Sequence, residues 1–80
     1  MLKLRKLKDG DLIMEYNHRG NKSVLWLFKK LSDSKGKLIV IEDYNGILRT
    51  GGETIAELDS KLMDNYKIIG NAKDYPEYLI

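Results

Sequence analysis

Turn-forming clusters interrupt this chain too often for long helices. Asp9–Gly10, the run His18-Arg19-Gly20-Asn21, the run Asp33-Ser34-Lys35-Gly36, Asn45–Gly46 and Gly51–Gly52 break it into short segments. Gly supplies positive φ at no steric cost, and Asn and Asp hydrogen-bond their own backbone, so such clusters mark turns. The segments between them are rich in β-branched and aromatic residues, which predicts a small, mainly β domain.

The apolar spacing supports this reading. Leu12, Met14 and Tyr16 alternate with Asp11, Ile13 and Glu15, the period of a half-buried strand. Over residues 23–31, Val24, Trp26 and Phe28 fall on one face and Leu25 and Leu27 on the other; over 37–44, Leu38 and Val40 oppose Ile39 and Ile41. A strand apolar on both faces is central in a sheet, or covered on its second side. Asn45–Gly46 predicts a two-residue type I′ hairpin into a short strand at 47–50. The period then changes: Ile55, Leu58 and Leu62 form a helical stripe, and Thr54-Ile55-Ala56-Glu57 matches a capping box, predicting a helix over 54–63. Residues 66–70 predict a last strand, and Pro76 keeps the tail, 71–80, out of a central strand. The expected order is β-β-β-β-α-β: an SH3-like small barrel or strongly bent antiparallel sheet, with a flat sheet crossed by one helix as the alternative.

Eighty residues predict one domain over 1–80 with a thin core, since a chain this short buries roughly 60–65% of its unfolded surface. There is no cysteine, so disulfides, thiolate metal sites and a cysteine nucleophile are excluded. Small domains without crosslinks gain stability by self-association, so a homodimer is among the expected states. The opening segment, 1–8, is basic but lacks the apolar run of a signal peptide. The longest apolar runs, VLWLF and LIVI, fall far short of the roughly 20 residues a membrane helix needs. The expectation is a cytoplasmic protein with no membrane partner.

Charge is unevenly distributed. Residues 1–37 hold ten Lys or Arg against four Asp or Glu, whereas 38–80 hold four against eight. Such a division marks a basic binding face, complementary faces of a homo-oligomer, or simply a mixed surface once the chain interleaves.

Catalytic and cofactor chemistries find little support. Arg49-Thr50-Gly51-Gly52-Glu53-Thr54 resembles a phosphate cradle only superficially: no lysine follows, and Glu53 and Glu57 there repel an anion. It reads as a hinge. Lys8-Asp9-Gly10-Asp11 lacks the further acidic ligands of a calcium loop. His18 is the only histidine, with no partner for zinc or for a triad. Glu42, Asp43, Glu53 and Glu57 would need a pocket to shift their acidity, for which a domain of this size has little room. The expectation is a non-enzyme with no cofactor, no metal and no small-molecule substrate.

Binding of a macromolecule remains. Lys3, Arg5, Lys6, Lys8, Arg19, Lys22, Lys29 and Lys30, near Tyr16 or Trp26, would suit phosphate contacts and base stacking, the nucleic-acid reading of the basic half. The tyrosines Tyr44, Tyr66, Tyr75 and Tyr78, with a tail reading DYPEYLI, suit protein binding. The stretches LRKLKDGDLIMEYN, DYNGIL and NYKIIGNA resemble a pattern in short phage- and prophage-encoded proteins: a leucine–lysine opening, a Gly-Asp turn, a strand meander and a closing strand of the YKII kind. That resemblance spans most of the chain and implies a small β-barrel. It departs from the pattern in the strand carrying Trp26 and in the Tyr-rich tail. By analogy it implies an accessory protein that engages or inhibits a host protein, including one of host defence. The candidate partner-binding residues are His18, Arg19, Lys22, Tyr44, Arg49, Tyr75 and Tyr78, and the candidate partner is a host protein or a second copy, with nucleic acid as the alternative.

Overall fold

A computed structural model describes residues 2–46 and 48–78, the last of these by its backbone alone. Five strands, β1 (Asp11–Tyr16), β2 (Lys22–Lys30), β3 (Lys35–Asp43), β4 (Glu53–Glu57) and β5 (Tyr66–Asn71), form one antiparallel sheet in the order β4-β3-β2-β1-β5. Single 3-10 turns occupy Leu4–Lys6, Ala72–Asp74 and Pro76–Tyr78. Among the described residues no helix is long and apolar enough to cross a membrane.

The two-faced strands sit where their pattern places them. β2 is central and paired on both sides, with Ile13 opposite Trp26 in β1 and Leu38 opposite Phe28 in β3. One face carries Ile13 and Phe28, covered by Leu4, Leu7, Leu58 and Leu62. The other carries Leu12, Met14, Leu25, Leu27 and Ile39, with Ala72 packed on it. The first cover is stitched together by backbone: Leu4 N–H donates to Ser60 O at 2.9 Å, Arg5 N–H to Leu58 O at 2.8 Å and Leu62 N–H to Leu2 O at 2.7 Å. The basic opening is therefore part of the fold, with Leu4 and Leu7 turned inward and Arg5 tied to Asp59 at 3.0 Å and to the Asp33 carbonyl at 3.0 Å.

Four expectations are corrected. The helix over 54–63 is absent: residues 53–57 form β4, paired with β3 from Lys35–Glu57 to Ile39–Glu53. A ten-residue helix is marginal alone. As a strand the segment pairs its backbone with β3 and sets Glu57 and Glu53 beside Lys35 and Lys37. Leu58 and Leu62 are buried all the same, but from the turn after β4. The strand at 47–50 is also absent over 48–50, Ile47 lying outside the described residues. The turn before it is not type I′, which needs positive φ at both central residues; Gly46 has φ +68° and Asn45 does not share it. The Asp43 carboxylate instead accepts the N–H groups of Asn45 at 2.9 Å, Gly46 at 3.1 Å and Leu48, which opens a wider loop. Finally, the described strands form an open sheet rather than a closed barrel, with β4 and β5 at opposite edges.

Gly36 marks the tightest approach in the core. A Cβ there would lie 2.5 Å from Phe28 Cε1 and 3.0 Å from Leu58 Cδ2. Gly36→Ala is expected to destabilise the protein by about 1–3 kcal/mol, the range for overpacking. Thermal unfolding followed by circular dichroism checks this, with a drop of roughly 4–8 °C per kcal/mol in a domain this size; an unchanged midpoint would show that β3 does not press on Phe28.

Candidate functional site

The second face of the sheet is only partly covered, and the gap is a shallow groove with a cavity volume of about 250 Å³. Its floor is Leu12, Met14 and Leu25, and its rim carries Lys22, Tyr44, Ile69, Tyr75 and Glu77. Each wall has a local cause. Tyr44 follows β3 at the start of the Asp43 loop, where its N–H donates to Ser23 O at 2.9 Å. Asn45 Nδ2 donates to Ser23 Oγ, tying that loop to β2. Tyr75 follows the Ala72–Asp74 turn, which Asn71 caps by accepting the Lys73 N–H at 3.1 Å. The tyrosine ring lies over Gly70, where a Cβ would come within 3.0 Å of Tyr75 Cε2; Gly70 is what lets the tail close on β5. Ile69 reaches the groove through a bulge: Leu12 faces Gly70 while Ile13 faces Ile68, so Ile69 is the additional residue.

Of the residues singled out from sequence, the fold brings Lys22, Tyr44 and Tyr75 to this groove. His18 and Arg19 lie exposed in the turn between β1 and β2, directly before Lys22. Asn17 organises that turn, its Oδ1 accepting the N–H groups of Arg19 at 2.9 Å and Asn21 at 3.0 Å. Arg49 is exposed in the loop leading to β4 and is not part of the groove lining. Tyr78 ends the Pro76–Tyr78 turn, and its side chain, like Leu79 and Ile80, lies outside the described residues. Sequence reasoning missed Ile69 and Glu77; the bulge that brings Ile69 to the groove is a matter of pairing register and leaves no mark in the residue pattern.

The groove has room for an apolar side chain. Tyr44 and Tyr75 are 47% and 42% exposed over a floor of buried leucine and methionine, an aromatic and apolar lining with polar tips of the kind that dominates binding surfaces. Among the described residues neither Arg19 nor Lys22 is in an ion pair, so positive charge is available at the Lys22 end. The ion pairs Arg5–Asp59, Lys35–Glu57 and Lys37–Glu53 each join the basic first half of the chain to the acidic second half. The charge imbalance along the sequence thus closes partly within the fold. In the exposed Arg5–Asp59 pair, the guanidinium hydrogen bond holds the Asp59 carboxyl below the usual carboxylate range. Among the described residues no group of three or more His, Asp or Glu is placed to hold a metal ion.

No family model, no curated protein and no solved structure is matched by this chain.

The first face holds a polar network beside the core. Trp26 Nε1–H donates to Glu15 Oε1 at 3.1 Å, and the Tyr66 hydroxyl hydrogen-bonds the same carboxylate. Partial burial, and then the bond and charge of Glu15, push the Tyr66 hydroxyl up to about 12 from an ordinary 10.0. Ionised Tyr66 is disfavoured in the folded state, so its stabilising contribution is complete below pH 10.0 and is lost as pH rises toward about 12. Chemical denaturation at stepped alkaline pH is expected to show this decline, and Tyr66→Phe to flatten it while costing about 1 kcal/mol at neutral pH. An identical alkaline slope in the phenylalanine variant would show that the network does not couple to folding.

Proposed function

We propose that this chain is a non-enzymatic protein-binding module that holds an extended segment of a partner in the groove between Tyr44 and Tyr75. The observation that carries the reading is the groove itself: two exposed tyrosines over an apolar floor, with Lys22 at the rim. An apolar side chain between the rings fills the floor, and an acidic residue of the partner meets Lys22, with Arg19 in the turn beside it. An SH3-like bending of the open sheet, which angles the Tyr44 loop toward the C-terminal tail, is part of this reading.

The resemblance to phage and prophage proteins supplies a setting: an accessory protein of the host cytoplasm whose partner is a host protein, a component of host defence among the candidates. The nucleic-acid alternative draws on the same groove, with the tyrosines as stacking platforms and Lys22 and Arg19 on phosphate. A nuclease treatment separates the two.

Immobilised protein is exposed to host lysate with and without nuclease, and the recovered partner is then titrated against Tyr44→Ala, Tyr75→Ala and Lys22→Glu. Each tyrosine substitution is expected to weaken binding by about 10- to 30-fold, a hot-spot effect of roughly 1.4–2 kcal/mol. Lys22→Glu is expected to slow association and remove most of its salt dependence. Retained affinity in the double tyrosine variant, with circular dichroism unchanged, defeats the reading, and recovery that disappears with nuclease turns it toward nucleic acid.

A further inference from the structure

The outer edge of β4 lies apart from the groove, whose lining does not include it. Leu58 N–H donates to Ser34 O at 2.9 Å, and Val40 N–H to Gly52 O at 2.7 Å. Bonded and non-bonded pairs alternate along an antiparallel ladder. Given the pairing of Lys35 with Glu57 and of Ile39 with Glu53, those two bonds set the phase. Gly36–Ala56 and Leu38–Thr54 are the bonded pairs, so the N–H and C=O of Glu53 and Ile55 and the N–H of Glu57 point away from β3. The Glu57 carbonyl turns back to accept the Ser60 N–H at 3.0 Å. The register of β4 on β3 runs without a break, whereas β5 at the opposite edge is bulged. A regular edge with outward backbone donors and acceptors is a template for another strand.

The side chains select which strand. Glu53, Ile55 and Glu57 share one face, and Ile55 between the carboxylates is 55% exposed. Lysines of β3 hold each glutamate from the inner side, Lys37 on Glu53 at 3.3 Å and Lys35 on Glu57, yet the two glutamate side chains remain 52% and 60% exposed. Their outer side is open. Self-pairing of this edge about Ile55 would set Glu53 opposite Glu57 of the second copy at both ends, and like charges directly opposite are destabilising. A strand with cations at those positions continues the alternation of lysine, glutamate and cation across the sheet. On the reverse face Thr54 and Ala56 favour small or β-branched neighbours.

We infer that the β4 edge takes an added antiparallel strand from a partner protein, one with two basic residues four apart around an apolar residue, set opposite Glu57, Ile55 and Glu53. The backbone supplies the hydrogen bonds and the carboxylates select the sequence. This inference stands independently of the tyrosine groove.

The probe is a capped synthetic peptide, Thr-Lys-Val-Val-Thr-Lys-Thr, titrated into the isotope-labelled full chain and followed by amide chemical shifts. Shifts centred on Glu53, Ile55 and Glu57 are expected, with affinity about ten-fold above that of the peptide carrying Glu for both Lys. A peptide N-methylated at the valine opposite Ile55 is expected to bind about ten-fold more weakly than the parent. Ile55→Pro removes the outward N–H without touching the bonded pairs with β3 and is expected to match that loss; should it loosen β4, the N-methylated peptide makes the same test on the unaltered chain. Equal response to the lysine and glutamate peptides overturns the inference, as do shifts confined to the Tyr44 and Tyr75 groove or no response at about 5 mM peptide.

Discussion

The structure depends on a strand that is dry on both sides. β2 presents Phe28 to one face and Leu25 and Leu27 to the other, each almost fully buried. Burying a side chain of this kind is worth about 1.5–3 kcal/mol, so neither face can be left to solvent. A single five-stranded layer cannot satisfy this alone, and each face needs a cover drawn from outside the sheet. The first cover is complete: the Leu4–Lys6 turn and the stretch after β4 are hydrogen-bonded to one another and seal Ile13 and Phe28. On the second face Ala72 and Tyr75 reach over β5, and the uncovered remainder is the groove. The proposed binding site is the place where the second cover ends.

What was legible in the sequence followed from period two. The strand at β1 and the two-faced runs of β2 and β3 read correctly, because core burial and strand geometry make the same demand on every second residue. β1 differs from the half-buried reading in being buried on both sides from Asp11 to Met14, with Ile13 fully enclosed. The fourth strand was not legible for the opposite reason. Ile55, Leu58 and Leu62 do lie at helical spacing, and all belong to one short stretch. Yet Ile55 is exposed, while Leu58 and Leu62 are buried by a turn that tucks beneath Phe28. Periodicity cannot distinguish a helical stripe from a strand followed by an inward turn. Nor does it show that Lys35 and Lys37 wait on β3 with the charge that makes Glu57 and Glu53 comfortable in a strand.

The site was half legible. Lys22, Tyr44 and Tyr75 were chosen for their chemistry, and the fold gathers them from three distant parts of the chain. Arg49 was chosen on the same grounds and lies elsewhere. The difference is in the turns. Asp43 spreads its carboxylate over three amides and so decides where Tyr44 ends up, and a Gly at position 70 decides where Tyr75 rests. Neither effect is visible as a pattern. The basic half of the chain shows the same principle in charge: Arg5, Lys35 and Lys37 are taken up by acidic residues far away in sequence, so a count along the chain overstates the positive surface.

The stitching of Leu2, Leu4 and Arg5 to Leu58, Ser60 and Leu62 also orders events during synthesis. The β2–β3 hairpin can form early from nearby residues, but its Phe28 side has no lid until the stretch after β4 has left the ribosome, and β1 lacks its second neighbour until β5 follows. Contacts between such distant positions are slow to form. A nascent chain that closes this hairpin first therefore leaves a greasy face unprotected until the later segments emerge, the condition under which a cell's holding chaperones bind.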